Sequence, residues 1–156
     1  MKALVVYYSR TGNTRDIAQT IAREMPCDIE EIYDTQKRSG IIGWLKSGYQ
    51  ANRGKLTILK PIEKDPSDYD LVIIGTPIWA GLPSVPIRTY LVENKDKFQK
   101  VAFFATYGSS GFSKTIEAMS EICGMDAVQT MGIKEEDMKK QTCDCKIDPF
   151  VRDISN

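Results

Sequence analysis

Ser9, Arg10, Thr11, Gly12, Asn13 and Thr14 form one run, SRTGNT, directly after the apolar stretch ALVVYY. Hydroxyls, a carboxamide and one guanidinium placed so close together can surround an anion, and Gly12 lets it approach the backbone. The run opens onto an apolar stripe of helical spacing, so its amides fall at a helix start. There, unpaired N–H groups and the positive end of the helix dipole favour negative charge. A compact phosphate suits such a cradle. Neither G-x-x-x-x-G-K-[ST] nor G-x-G-x-x-G is present, which points to a terminal monophosphate rather than a triphosphate or a dinucleotide pyrophosphate. The same residues also suit a plain N-cap and turn without a ligand.

Two further runs share this chemistry. TPIWAGLP contains Thr76, Pro77, Ile78, Trp79, Ala80 and Gly81, and TYGSSGF contains Thr106, Tyr107, Gly108, Ser109, Gly111 and Phe112. Trp79, framed by Pro77, Gly81 and Pro83, can lay its indole over a flat ligand or serve as a half-buried anchor. Tyr107 and Phe112 pose the same alternatives, with Gly108 and Gly111 giving the backbone room.

The elements around these runs place them together. Lys2–Tyr8, Leu71–Gly75 and Val101–Thr106 are near-continuous apolar runs, as in parallel strands covered on both faces. Ala127–Ile133 reads as a weaker strand and Asp28–Tyr33 as a charged edge strand. Thr14, Ile17, Ala18, Ile21, Ala22 and Met25 form one helical stripe. Helices are also expected after Pro86 and after a Ser113 cap, with a short final helix over Lys146–Ser155. Alternating strands and helices predict an α/β fold, a doubly wound five-stranded parallel sheet with helices on both faces. Ligands of such sheets collect at the carboxyl ends of the strands, where all three runs lie.

The long connection Asp34–Tyr69 is expected to hold a short helix near Ile41–Tyr49. Within it, Thr35–Ile62 carries Lys37, Arg38, Lys46, Arg53, Lys55 and Lys60 and no acid. It reads as a solvated flap anchored by Trp44, with docking of an acidic partner as the alternative.

A chain of 156 residues suits a single domain spanning 1–156. Lys plus Arg equals Asp plus Glu, at 21 each, so no global field favours nucleic acid or an anionic membrane. With no spanning apolar run and no cleavage site after MKALVVYY, a cytoplasmic location is expected. Cys27, Cys123, Cys143 and Cys145 have neither C-x-x-C spacing nor a histidine partner. Reduced thiols and no metal are therefore expected, with Cys143 and Cys145 as loop thiols.

YSRTGNT, TPIWAGLPSVPIRTYL and ATYGSSGF, in this order, resemble the three cofactor loops of the short-chain flavodoxin family. The resemblance spans nearly the whole chain. It implies a flavodoxin-like sheet of order 2-1-3-4-5 holding FMN noncovalently, its phosphate on Ser9, Arg10, Thr11, Gly12, Asn13 and Thr14. The ring would lie between Thr76–Gly81 and Thr106–Phe112, with Trp79 as the first stacking candidate and Tyr107 the second. Ala80–Gly81 best matches the flexible peptide that the family holds beside the flavin. No catalytic acid, base or nucleophile is then required.

The implied function is one-electron transfer to redox partner proteins by a monomer or weak homodimer. The alternatives are an NAD(P)H-dependent quinone, azo or nitro reductase of the same fold, or a flavin-free binding module. A ring site with no cation beyond Arg10 implies a low potential for the anionic reduced flavin. The neutral net charge and the basic connection depart from the acidic surfaces usual in carrier flavodoxins.

Overall fold

A computed structural model describes residues 1–36, 40, 42, 43, 45, 46, 49 and 53–156. Its strands are β1 (Ala3–Tyr7), β2 (Asp28–Glu31), β3 (Leu71–Trp79), β4 (Leu82–Pro83), β5 (Val101–Tyr107) and β6 (Thr130–Lys134). Outside the long connection its α-helices are α1 (Asn13–Glu24), α2 (Val85–Asn94), α3 (Phe112–Cys123), α4 (Glu135–Lys139) and α5 (Asp144–Ser155). Five strands pair in parallel in the order β2-β1-β3-β5-β6, while the two-residue β4 folds back antiparallel on the end of β3. Counting the parallel strands alone, this is the expected 2-1-3-4-5 arrangement.

Strand alternation sends successive side chains to opposite faces. Leu4, Val6, Val72, Ile74, Val101 and Phe103 meet Val85, Ile87, Tyr90 and Leu91 of α2 and Met119 and Cys123 of α3. Val5, Ile73, Ala102 and Phe104 meet Ile17, Ala18 and Ile21 of α1 and Ile147, Phe150, Val151 and Ile154 of α5. Gly75 is fixed by this packing, because a Cβ there would lie 2.0 Å from Phe104 Cζ.

Several boundaries differ from expectation. β3 continues past Gly75 through Trp79, because Thr76 and Pro77 still pair with Ala105 and Thr106 and Ile78–Trp79 pair with β4. Pro77 reads as a turn residue, yet it sits within this strand. β2 stops at Glu31, and β6 starts only at Thr130. α3 is capped by Gly111 at φ 98°, leaving Ser113 inside the helix. α5 starts at Asp144, so Cys145 is helical rather than a loop residue.

In the long connection Gly40, Ile42, Gly43, Leu45, Lys46 and Tyr49 are helical, whereas Ile41 and Trp44, with its anchoring role, lie outside the described residues. Ile42, Leu45, Tyr49, Leu56 and Ile58 are exposed, and the Arg53 and Lys55 cations lie over the Tyr49 ring. The chain returns to the body of the fold where the Thr57 N–H donates to Thr89 Oγ1 of α2 at 3.0 Å. Next to it, the Glu30 carboxylate of edge strand β2 accepts the backbone N–H groups of Glu63 and Lys64. Among the described residues, no helix is long and apolar enough to cross a membrane, and no group of acids, cysteines or histidines could hold a metal ion.

Candidate functional site

The chain leaves β1 for β2 on one side, and β3 occupies the other side of β1. That reversal of winding opens a crevice at the carboxyl ends of β1 and β3. β1 exits into the turn before α1. There Ser9 Oγ accepts the Gly12 N–H at 3.1 Å, and Gly12 adopts φ 104° as the N-cap. This left-handed residue turns the chain into α1, whose first amides have no acceptor within the helix and whose first residues, Asn13 and Thr14, line the crevice.

Arg15, in the first turn of α1, is turned away from it. Its guanidinium grips the Glu31 carboxylate at the end of β2 through two bonds of 2.9 and 2.7 Å, and the Tyr7 hydroxyl donates to the same carboxylate at 3.1 Å. Burial, and secondly the charge of Glu31, push the Tyr7 phenol up to about 12. Arg15 therefore closes β2 against α1 and leaves Arg10 as the cation among the residues that line the crevice.

β3 supplies the second wall. The hairpin Trp79–Leu82 turns through Ala80 and Gly81 at φ 52° and 75°, the two positive angles of a type I′ turn. Ala80 holds this left-handed conformation without being glycine, a strain of roughly 1–3 kcal/mol. Thr76 is fully buried behind the turn, where its Oγ1 donates to the Pro77 carbonyl at 2.8 Å and accepts the Ser84 N–H at 2.9 Å. The hydroxyl thus fastens the hairpin to the start of α2. Trp79 is only 6% exposed and meets Tyr8 edge-on, with centroids 5.5 Å apart at 88°. It forms the floor and keeps little free face.

The third wall follows β5. Tyr107 stacks on Phe112 at 5.9 Å and 18°, and Phe112 rests on Gly132, where a Cβ would lie 2.9 Å from its ring. Tyr107 is only half-buried, so it presents the more accessible aromatic face. Gly111 closes the gap between the second and third walls: a Cβ there would lie 2.9 Å from Gly81 Cα and 3.3 Å from Ile78 Cγ2. The first and third walls are joined by a hydrogen bond of 2.8 Å between Thr14 Oγ1 and Thr106 Oγ1.

Between these walls lies a cavity of about 380 Å³, within the usual range for small-molecule sites. Arg10, Thr11, Asn13 and Thr14 line one end, Pro77, Ile78, Trp79, Ala80 and Gly81 one side, and Thr106, Tyr107, Gly108 and Ser109 the other. Ser9, Gly12, Thr76, Gly111 and Phe112 stand behind its surface and shape it. Ser110 and Glu135 also line it and are absent from the sequence expectation. Ser110 belongs to the run already singled out, whereas Glu135 follows the weakest strand and carries no local motif.

A doubly wound α/β sheet with a polar cradle and an aromatic trough at its switch point defines a binding protein for a phosphate-bearing planar molecule. A family model described as Flavodoxin matches residues 2–142, and the chain belongs to the flavodoxin family, whose cofactor is FMN. The residues fit that group, with hydroxyls and helix amides at one end and Trp79 and Tyr107 at the other.

No curated protein is similar enough in sequence to count as a relative. Among solved structures, a Lactobacillus acidophilus flavoprotein in complex with FMN is 24% identical with TM-score 0.75, over 89% of this chain and 97% of that one. A flavodoxin from the domain Archaea is 18% identical with TM-score 0.56, over the full length of both chains. Rubredoxin oxygen:oxidoreductase from Desulfovibrio gigas is 15% identical with TM-score 0.54, and the match takes in 99% of this chain but 37% of that enzyme. At these identities the shared property is the fold.

Proposed function

We propose that the protein binds FMN in this cavity and carries single electrons between redox partner proteins. The observation that carries the reading is the joining of a donor-rich helix start to an aromatic trough within one cavity at the switch point. Thr11, Asn13, Thr14 and the amides of α1 bind the phosphate and Arg10 offsets its charge, because a helix start favours an anion. Tyr107, backed by Phe112, orients the ring, and Trp79 with Ile78 keeps water from its inner face. The strained Ala80–Gly81 peptide lines the same side of the cavity and would offer its polar groups to the edge of the ring. FMN, when bound, supplies the redox chemistry in one- and two-electron steps. The protein's part is to hold the cofactor and leave one edge open to a partner.

A second reading is an NAD(P)H-dependent reductase: in the rubredoxin oxygen:oxidoreductase of Desulfovibrio gigas the same fold forms part of an enzyme, though not one named for a nicotinamide. Anaerobic mixing of the FMN-loaded protein with NADH or NADPH alone separates the two. A carrier keeps its yellow colour and gives two resolved one-electron waves in a chemical titration. Rapid bleaching by the nicotinamide would replace the carrier reading with the reductase.

A further inference from the structure

We propose that Lys114 sets the potential of the FMN bound here, a role that rests on the reading of the cavity as an FMN site. Lys114 lies in the first turn of α3, three positions after the Gly111 cap. Helical side chains lean toward the N-terminus of their helix, so Lys114 leans toward Gly111 and the turn packed on it. Its Cδ lies 3.6 Å from the position a Cβ would take on Gly81, and the ammonium stands two bonds further along the same stem. Gly81 is itself a wall of the cavity at its aromatic end. Among the described residues no carboxylate pairs with Lys114. The stem of an exposed lysine thus runs beside the Ala80–Gly81 turn, just outside the residues that line the cavity.

The sequence runs contain no such charge at this end. Arg10 belongs to the opposite, phosphate-binding end, and Arg15 is held by Glu31. Glu135, on the β6 side, is the acid among the lining residues. Two electrons and one proton convert the neutral flavin ring to a reduced ring with one negative charge, and a nearby cation favours that form. Lys114 therefore opposes Glu135 and raises the potential of the couple that ends in the anion. The low potential expected from a cation-free ring site is lifted by a residue outside the three loops.

The test measures FMN affinity and potentials by anaerobic dithionite titration of wild type, Lys114→Gln, Lys114→Glu, Lys114→Arg and, as control, Lys100→Gln. Lys100 is exposed and precedes β5, at the far end of the sheet. At low salt, Lys114→Gln should weaken binding of reduced relative to oxidised FMN by about threefold and Lys114→Glu by about tenfold, the size of one screened charge near a surface. A tenfold change in affinity for reduced relative to oxidised FMN corresponds to about 30 mV for the two-electron couple, or about 59 mV if it falls entirely on the last one-electron step. Lys114→Arg and Lys100→Gln should match wild type, and about 0.5 M salt should shrink the differences. Equal potentials for wild type, Lys114→Gln and Lys114→Glu would overturn the proposal while leaving the FMN site intact. Failure of the wild-type apoprotein to take up FMN would overturn the reading beneath it.

Discussion

Thr14 and Thr106 share a hydrogen bond of 2.8 Å in which both hydroxyls are buried, one from the start of α1 and the other from the end of β5. Both also line the cavity, so one bond joins its hydroxyl-rich end to its aromatic side.

Replacing either threonine by valine leaves the other hydroxyl buried without its partner. Each single variant should lose about 1–3 kcal/mol of stability in urea denaturation of the apoprotein. The double variant should lose less than the sum of the two, because no orphaned hydroxyl remains. Additive losses would show that the two groups do not depend on each other.

Thr11 is exposed and lines the end of the cavity proposed to hold the phosphate. Thr11→Glu should leave stability within about 0.5 kcal/mol of wild type, as surface changes usually do. FMN affinity should fall about tenfold or more from charge repulsion at close range. Riboflavin, which lacks the phosphate, should bind both proteins alike, and a parallel loss of riboflavin would place the phosphate elsewhere.

Gly12 and Gly111 are both helix caps at similar positive φ, 104° and 98°. A Cβ on Gly12 meets nothing within 4 Å, whereas one on Gly111 lies 2.9 Å from Gly81 Cα. Gly12→Ala should cost about 1–3 kcal/mol of backbone strain. Gly111→Ala should cost a further 1–3 kcal/mol or so from overpacking and should widen the trough. Comparison of the two melting curves isolates the contact between the loops.

Folded Tyr7 keeps its proton up to about 12, against an ordinary value of 10.0. Between these values the folded protein binds more protons than the unfolded chain. The resulting stability is complete below pH 10.0 and drains away as pH rises through about 12. Tyr7→Phe should flatten this alkaline decline in denaturation series, and an unchanged slope would assign the decline to other groups.

The buried strands were legible because apolar runs such as Leu71–Gly75 and Val101–Thr106 have few other uses. The three loops were legible because Gly, hydroxyl and aromatic residues recur at each strand exit. Local signals misled where pairing partners decide: Pro77 looks like a turn until β5 and β4 are seen on either side of it. Trp79 shows the same limit, since residue type suggests a stacking platform while packing against Tyr8 leaves it a floor. Glu135 reaches the cavity from a distant position in the chain, and no local spacing encodes such an approach.

The bonds from Glu30 to the backbone of Glu63 and Lys64 act at the outer edge of β2, where a sheet is most exposed to pairing with another chain. Tethering the returning chain there lays the protein's own backbone alongside the lateral margin, one of the ways a sheet edge is covered. The flank of the sheet is thus tied down by the chain itself, while the carboxyl end, where the cavity lies, is left open.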